Sequence, residues 1–233
     1  MRADIAVANA LNISRNQAAG LIENGAVMAN LKIIKKPSQD IGQNEVIEVI
    51  AQIYVSRAAL KLAGFLEETQ IDLRSKSALD IGSSTGGFVQ VLLENGAKNI
   101  TALDVGTMQL SSNLRNDSRV IVQENTDIRE FKSESKFDII TADVSFISLL
   151  NIISYIDKFA LSDIILLFKP QFEVGINIKR TKNGVVKDEK AIAKSALKFE
   201  AKCMALGWKL IKKSESKIKG KEGNLELFYH FKK

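Results

Sequence analysis

One cysteine, one histidine and two prolines are spread over 233 residues. With Cys203 alone, no disulfide can form within the chain, and Cys203 plus His230 cannot assemble a Cys/His zinc site. A histidine-dependent triad has only His230 to draw on, and that residue lies in an expected C-terminal strand where a structural role is equally open. The N-terminus, MRADIAVANAL, lacks the apolar core of a secretory signal. The longest apolar stretch, Val144 to Ile156, is too short to span a bilayer and contains Asn151. No low-complexity tract is present to suggest disorder. A cytoplasmic protein with no metal and no stable membrane association is the expectation.

Hydrophobic residues make up 45% of the chain, enough for one large α/β domain and a small appendage. The net charge of +6 is unevenly placed. Residues 1–50 carry five basic and five acidic side chains, residues 51–178 carry 12 and 16, and residues 179–233 carry 16 and six. The C-terminal excess either forms one electropositive face for a polyanion or is a set of solvated, lysine-rich helices.

The pattern divides the chain into residues 1–50, a junction over 51–57, and residues 58–233. In the first part, Ala6, Val7, Ala8 and Leu11 predict a short helix. Ser14 is placed to cap a second helix over Arg15 to Asn24, which Gly25 stops. AVMANLKII and EVIEVI read as short strands. Beyond the junction AQIYVSR, a helix is expected over Ala58 to Thr69, and then strands and helices alternate. Five strands (SALDI, NITALDV, RVIVQEN, FDIITADVS and DIILLFK) precede a helix near Asp188 to Leu206 and two late strands. Such alternation predicts a doubly wound, mostly parallel sheet, in which ligands bind outside the carboxyl ends of the strands.

The chemistry-bearing residues fall at those ends. Asp80, Gly82, Ser83, Ser84, Gly86, Gly87 and Phe88 join the first strand to a helix through a glycine loop. The spacing fits neither a GxGxxG dinucleotide loop nor a phosphate-binding loop. Asp104 and Val105 close the second strand, where a carboxylate can accept both ribose hydroxyls of a nucleoside cofactor. Asp127 follows the third strand, in position to receive an adenine amino group, and Asp143 ends the fourth. Each aspartate alone reads equally well as a loop cap. Three acidic strand ends beside one glycine loop favour a nucleoside cofactor, and one with a positive sulfonium over one with a pyrophosphate. Lys169 ends the fifth strand beside Pro170, Lys61 lies on the helix after the junction, and Glu226 lies between apolar residues of a late strand.

The order Lys61, Asp143, Lys169, Glu226 resembles the K-D-K-E tetrad of FtsJ-like ribose 2′-O-methyltransferases. The segments YVSRAALKL, LDIGSSTGGF, DVSFISL, KPQFEVG and GNLELF resemble the TlyA family, which carries that tetrad behind an S4 RNA-binding domain. Residues 2–38 are similar to an S4 domain, and depart from it where the family's Asn-Gly turn reads Ala29-Asn30-Leu31. The resemblance implies a Rossmann-like class I methyltransferase domain with S-adenosyl-L-methionine as cofactor. It also implies a cytidine ribose in ribosomal RNA as substrate, in the large subunit for a chain of the shorter type. Arg2 and Arg15 match basic positions of the S4 domain, Lys32, Lys35 and Lys36 are expected to add phosphate contacts, and Arg57, at the junction, is placed to sense RNA or cofactor. Lys169 is expected to act as general base once it has shed its proton; if it stays charged, it is expected only to position the hydroxyl. Asp143 and Glu226 are expected to orient the lysines and the hydroxyl. A non-catalytic ribosome-assembly protein, a membrane-lytic protein and a small-molecule methyltransferase are the competing readings.

Overall fold

The computed structural model describes residues 1–23, 25–42, 45–49, 54–220 and 222–233. The chain forms two compact units, Met1–Ser56 and Arg57–Lys233. Of the junction expected over 51–57, residues 51–53 lie outside the described residues. Arg57, assigned to it from sequence, instead opens a helix of the second unit.

The first unit packs helices α1 (Ala3–Leu11) and α2 (Arg15–Glu23) on a three-stranded sheet of β1 (Val27–Ala29), β2 (Lys32–Ile33) and β3 (Ile47–Val49), in the order β2-β1-β3. The first helix starts three residues earlier than its apolar pattern suggests, because buried Asp4 interrupts that pattern. Ser14 Oγ accepts the backbone N–H of Gln17, and Gln17 Oε1 accepts that of Ser14. This reciprocal capping fixes the start of α2. Val7, Ala18, Ile22, Val27 and Ile34 close the core. Asn30 and Leu31 turn β1 into β2 with φ of 45° and 63°. The two-residue hairpin geometry that favours Asn-Gly is therefore kept, with leucine in the glycine position.

The second unit contains α3 (Arg57–Thr69), β4 (Ser77–Ile81), α4 (Gly87–Glu94), β5 (Asn99–Leu103), α5 (Ser112–Arg115), β6 (Val120–Gln123), β7 (Phe137–Ala142), α6 (Ile153–Phe159), β8 (Ala160–Phe168), α7 (Pro170–Glu173), α8 (Glu189–Ala205), β9 (Lys209–Glu215) and β10 (Leu227–Lys232). The seven strands follow the order β6-β5-β4-β7-β8-β10-β9. The first five are mutually parallel, and β10 runs antiparallel to both β8 and β9. Near-continuous apolar runs such as DIILLF suit strands covered on both faces.

The reversal of β10 matters for the site. Its first residue, Leu227, pairs with Phe168, the last residue of β8. One step further, Glu226 and Lys169 share the edge of the sheet where the parallel strands end. Among the described residues, no helix is long and apolar enough to cross a membrane.

Candidate active site

The glycine loop leaves β4 at Ile81. Gly82 has φ of 79°, and a Cβ there would stand 2.9 Å from the Asp143 carbonyl oxygen, so only glycine lets the two strand ends approach this closely. Gly86 has φ of 96°, and a Cβ would collide with Leu114 and Leu110. Asp104 pulls the loop toward β5, accepting the backbone N–H of Ser84 and of Gly106, each at 2.7 Å. Glu124 plays the matching part after β6. It accepts backbone N–H groups from Met108, Gln109 and Leu110 and an ion pair from Arg115, and so holds the loop beyond Asp104.

A cavity of about 380 Å³ opens between these loops. Of the cofactor residues expected from sequence, Gly82, Ser84, Asp104, Val105, Asp127 and Asp143 line it. Asp80, Ser83, Gly86, Gly87 and Phe88 do not. Gly86 and Gly87 start α4, and Ser83 is buried in the turn. Phe88 belongs to the core, where its ring lies 6.1 Å from that of Phe228. Asp127 lines the cavity with both oxygens already engaged by Arg129, at 2.9 and 2.6 Å.

Asp80 lies across from Thr141 in the β4–β7 register and accepts its hydroxyl at 2.6 Å. Its second oxygen is buried with no partner among the described residues. Burial pushes this carboxyl up to about 7; the Thr141 hydrogen bond opposes the shift, and the charges of Asp143 and Asp104 add to it.

The four tetrad residues form two buried ion pairs. Lys169 Nζ lies 2.6 Å from Asp143 Oδ1, and Lys61 Nζ lies 2.7 Å from Glu226 Oε2. None of the four side chains is more than 14% exposed. Lys169 caps α7 with Pro170 behind it, which fixes the backbone as the chain leaves β8. The Lys61–Glu226 pair is positioned by packing. Phe65, one helical turn beyond Lys61, stacks on Phe228, two residues beyond Glu226 on the same strand face, with centroids 4.6 Å apart.

Sequence reasoning missed Ser145, whose hydroxyl accepts a hydrogen bond from Lys169 Nζ at 2.9 Å and which lines the cavity. Its place two residues after Asp143 in the same loop was the available signal. It also missed Asp4. Buried in the first unit, Asp4 takes both Arg2 and Arg15 at 2.9 Å and aims two half-exposed guanidinium groups. These hydrogen bonds, that from Arg2 foremost, hold the Asp4 carboxyl well below the usual range. Lys32, Lys35, Lys36 and Arg57 are exposed.

Of the carboxylates that line the cavity, Asp104 has no cationic partner among the described residues, which fits a cationic nucleoside such as S-adenosylmethionine. No cluster of metal-binding side chains exists among the described residues.

A parallel sheet extended by one reversed strand, with two lysine–carboxylate pairs at its carboxyl edge, defines a methyltransferase of the FtsJ-like class. Comparison with known proteins agrees: the FtsJ-like methyltransferase model matches residues 54–233 and the S4 domain model residues 1–47. A protein of Campylobacter jejuni named 23S rRNA (cytidine-2′-O)-methyltransferase TlyA is 54% identical over 99% of both chains. One of Mycobacterium tuberculosis named 16S/23S rRNA (cytidine-2′-O)-methyltransferase TlyA is 39% identical over 92% of this chain and 83% of its own. A hemolysin-named structure from Streptococcus thermophilus superposes with a TM-score of 0.75 at 32% identity, covering 100% of this chain and 88% of the other. The chain belongs to the TlyA family.

Proposed function

We propose that this protein is a cytoplasmic, S-adenosylmethionine-dependent methyltransferase acting on the 2′-oxygen of a cytidine ribose in large-subunit ribosomal RNA. The observation that carries the reading is the Lys169–Asp143 contact at the cavity edge, backed by the Lys61–Glu226 pair. The large-subunit assignment is supported by the end-to-end match to the relative named for 23S rRNA alone.

S-adenosylmethionine, when bound, supplies an electrophilic methyl group. Asp104 and Val105 would hold its nucleoside, and Gly82 and Ser84 would line its path to the tetrad. The chain must place a ribose hydroxyl at that methyl and take its proton. Lys169, once deprotonated, accepts that proton at Nζ; Asp143 and Ser145 fix its direction. Lys61 and Glu226 hold the hydroxyl side of the site. The S4 domain supplies sequence-independent grip through Arg2, Arg15, Lys32, Lys35 and Lys36, and Arg57 adds to it from the catalytic unit.

The test is labelled methyl transfer to purified small and large subunits from a strain lacking the enzyme. The modified ribose is then mapped by its resistance to alkaline cleavage. One resistant cytidine in large-subunit RNA, lost in Lys169→Ala, is the expected result. The base assignment is tested by single-turnover rates against pH, where Lys169→Arg should lose transfer; an unchanged rate would overturn it.

A further inference from the structure

Lys190, Lys194, Lys198 and Lys202 repeat every fourth residue along α8. All four are exposed, and none makes an ion pair among the described residues. Successive members stand about 6 Å apart along the axis and are offset by about 40°, so the row winds slowly around the helix over about 18 Å.

This arrangement is poor for helix stability. Each lysine after the first has another lysine four residues before it, where a glutamate would stabilise the helix and a like charge destabilises it. Lys190 also sits in the first turn, where the helix dipole disfavours a cation. The two acidic residues of the helix do not relieve this. Glu189 and Glu200 lie on the opposite flank, roughly 80–100° to the other side of Lys190. Glu200 is already engaged, accepting Lys213 and the Tyr229 hydroxyl at 2.8 Å each.

The row is tied to the active centre. The segment leading into α8 is pinned where Val186 N–H donates to Asn224 Oδ1 at 3.1 Å. Asn224 is buried two residues before Glu226, so the segment feeding α8 is held at the tetrad's edge of the sheet, and α8 packs from there along the sheet through Phe199 on Phe168 and Tyr229.

We propose that this row is a second RNA-binding surface, on the catalytic unit itself, which tracks the phosphate backbone of the ribosomal RNA leading away from the target nucleotide. It rests on the ribosomal-RNA reading above. A polyanion with regularly spaced charges matches four evenly spaced, unpaired ammonium groups. A lipid surface matches less well, because a membrane-lying helix needs a free apolar face opposite its lysines. Here that face, with Ala196, Phe199 and Cys203, is buried in the core.

The test is equilibrium binding of the full chain to large ribosomal subunits from the enzyme-lacking strain, followed across a salt series. Combining Lys190→Gln, Lys194→Gln, Lys198→Gln and Lys202→Gln should flatten the slope of log affinity against log salt by about 3, given a contribution of roughly 0.7–0.9 per phosphate contact. The same row changed to arginine should keep the wild-type slope. As a charge-matched control, Lys98, Lys132, Lys136 and Lys158 are changed to glutamine; they lie near the amino ends of the parallel strands, away from the cavity. An unchanged slope in the row variant overturns the proposal, as does equal flattening by the control set. Loss of binding to phosphatidylglycerol vesicles with the subunit slope intact would reassign the row to a membrane and overturn it as well. Retained S-adenosylmethionine binding and helical circular dichroism certify that the row variant is folded. Failure of the methyltransferase reading is seen separately, as absent methyl transfer by the unsubstituted chain, and leaves the slope measurement readable.

Discussion

Phe65 and Phe228 stack with ring centroids 4.6 Å apart, and this contact sets the register between α3 and β10 that brings Lys61 to Glu226. The stack is a positioning device for the tetrad as well as part of the core. Phe65→Ala leaves a cavity that should cost about 3–5 kcal/mol in unfolding free energy. It should also slow methyl transfer while leaving S-adenosylmethionine affinity near wild type, since neither ring lines the cavity. Urea unfolding and calorimetric cofactor binding check the two halves. A rate that stays at the wild-type value would remove the positioning role.

The Lys61–Glu226 pair separates stability from function. Its side chains are 11% and 3% exposed, so removing one partner strands a buried charge at a cost of about 3–5 kcal/mol. Glu226→Ala should therefore unfold at markedly lower urea concentration. The double change Lys61→Met with Glu226→Gln removes both charges and should recover most of that loss. Transfer activity should stay absent in the double variant. A restored rate in it would make the pair purely structural.

Asp80 gives a pH dependence with a definite sign. Its carboxyl is raised from 3.8 to about 7, first by burial, so between about pH 4 and 7 the folded chain holds a proton that the unfolded chain has lost. Stability of the ligand-free protein must then fall as pH rises through that window. Half-buried Glu173 is also raised, by desolvation first, and acts in the same direction. Asp72, Asp117, Glu124 and Asp163 are depressed to about 2, so the stability they contribute is present above their unfolded values and lost only as the medium becomes more acid. Urea midpoints measured from pH 5 to 8 should therefore decline, and Asp80→Asn should flatten most of the decline. A rise in midpoint over this range would contradict the assignment.

The legible and illegible parts of the molecule divide along a physical line. Strands covered on both faces announce themselves as apolar runs, and their acidic ends follow in order, so the loop at Gly82 and the places of Asp104, Asp127 and Asp143 are readable from residue order alone. The direction of β10 is not, because antiparallel and parallel neighbours of a buried strand share one apolar pattern; yet that direction is what carries Glu226 to Lys169. Phe88 adjoins the glycine loop in sequence but stacks toward Phe228, since the first turn of α4 faces the sheet. Asp4 breaks an apolar helix pattern for an electrostatic reason that depends on Arg2 and Arg15 meeting in space. Pairing of this kind leaves little trace in spacing.

The β1–β2 turn allows a test free of catalysis. Leu31 is held at φ 63° and is 78% exposed, so its side chain gains little from packing while its backbone sits where a Cβ is unfavourable. Asn30, at φ 45°, is better suited, and its side-chain oxygen accepts the Val46 N–H at 2.9 Å, joining the turn to the segment before β3. Replacing Leu31 by glycine removes the left-handed penalty of roughly 1–2 kcal/mol, less what the unfolded chain gains from glycine's added freedom, for a net stabilisation of about 1 kcal/mol. Hydrogen exchange at the amides of Val27 to Ala29 should slow correspondingly, while exchange in the catalytic unit stays unchanged. Faster exchange in Leu31→Gly would mean that the leucine side chain holds the hairpin through contacts stronger than the strain it imposes.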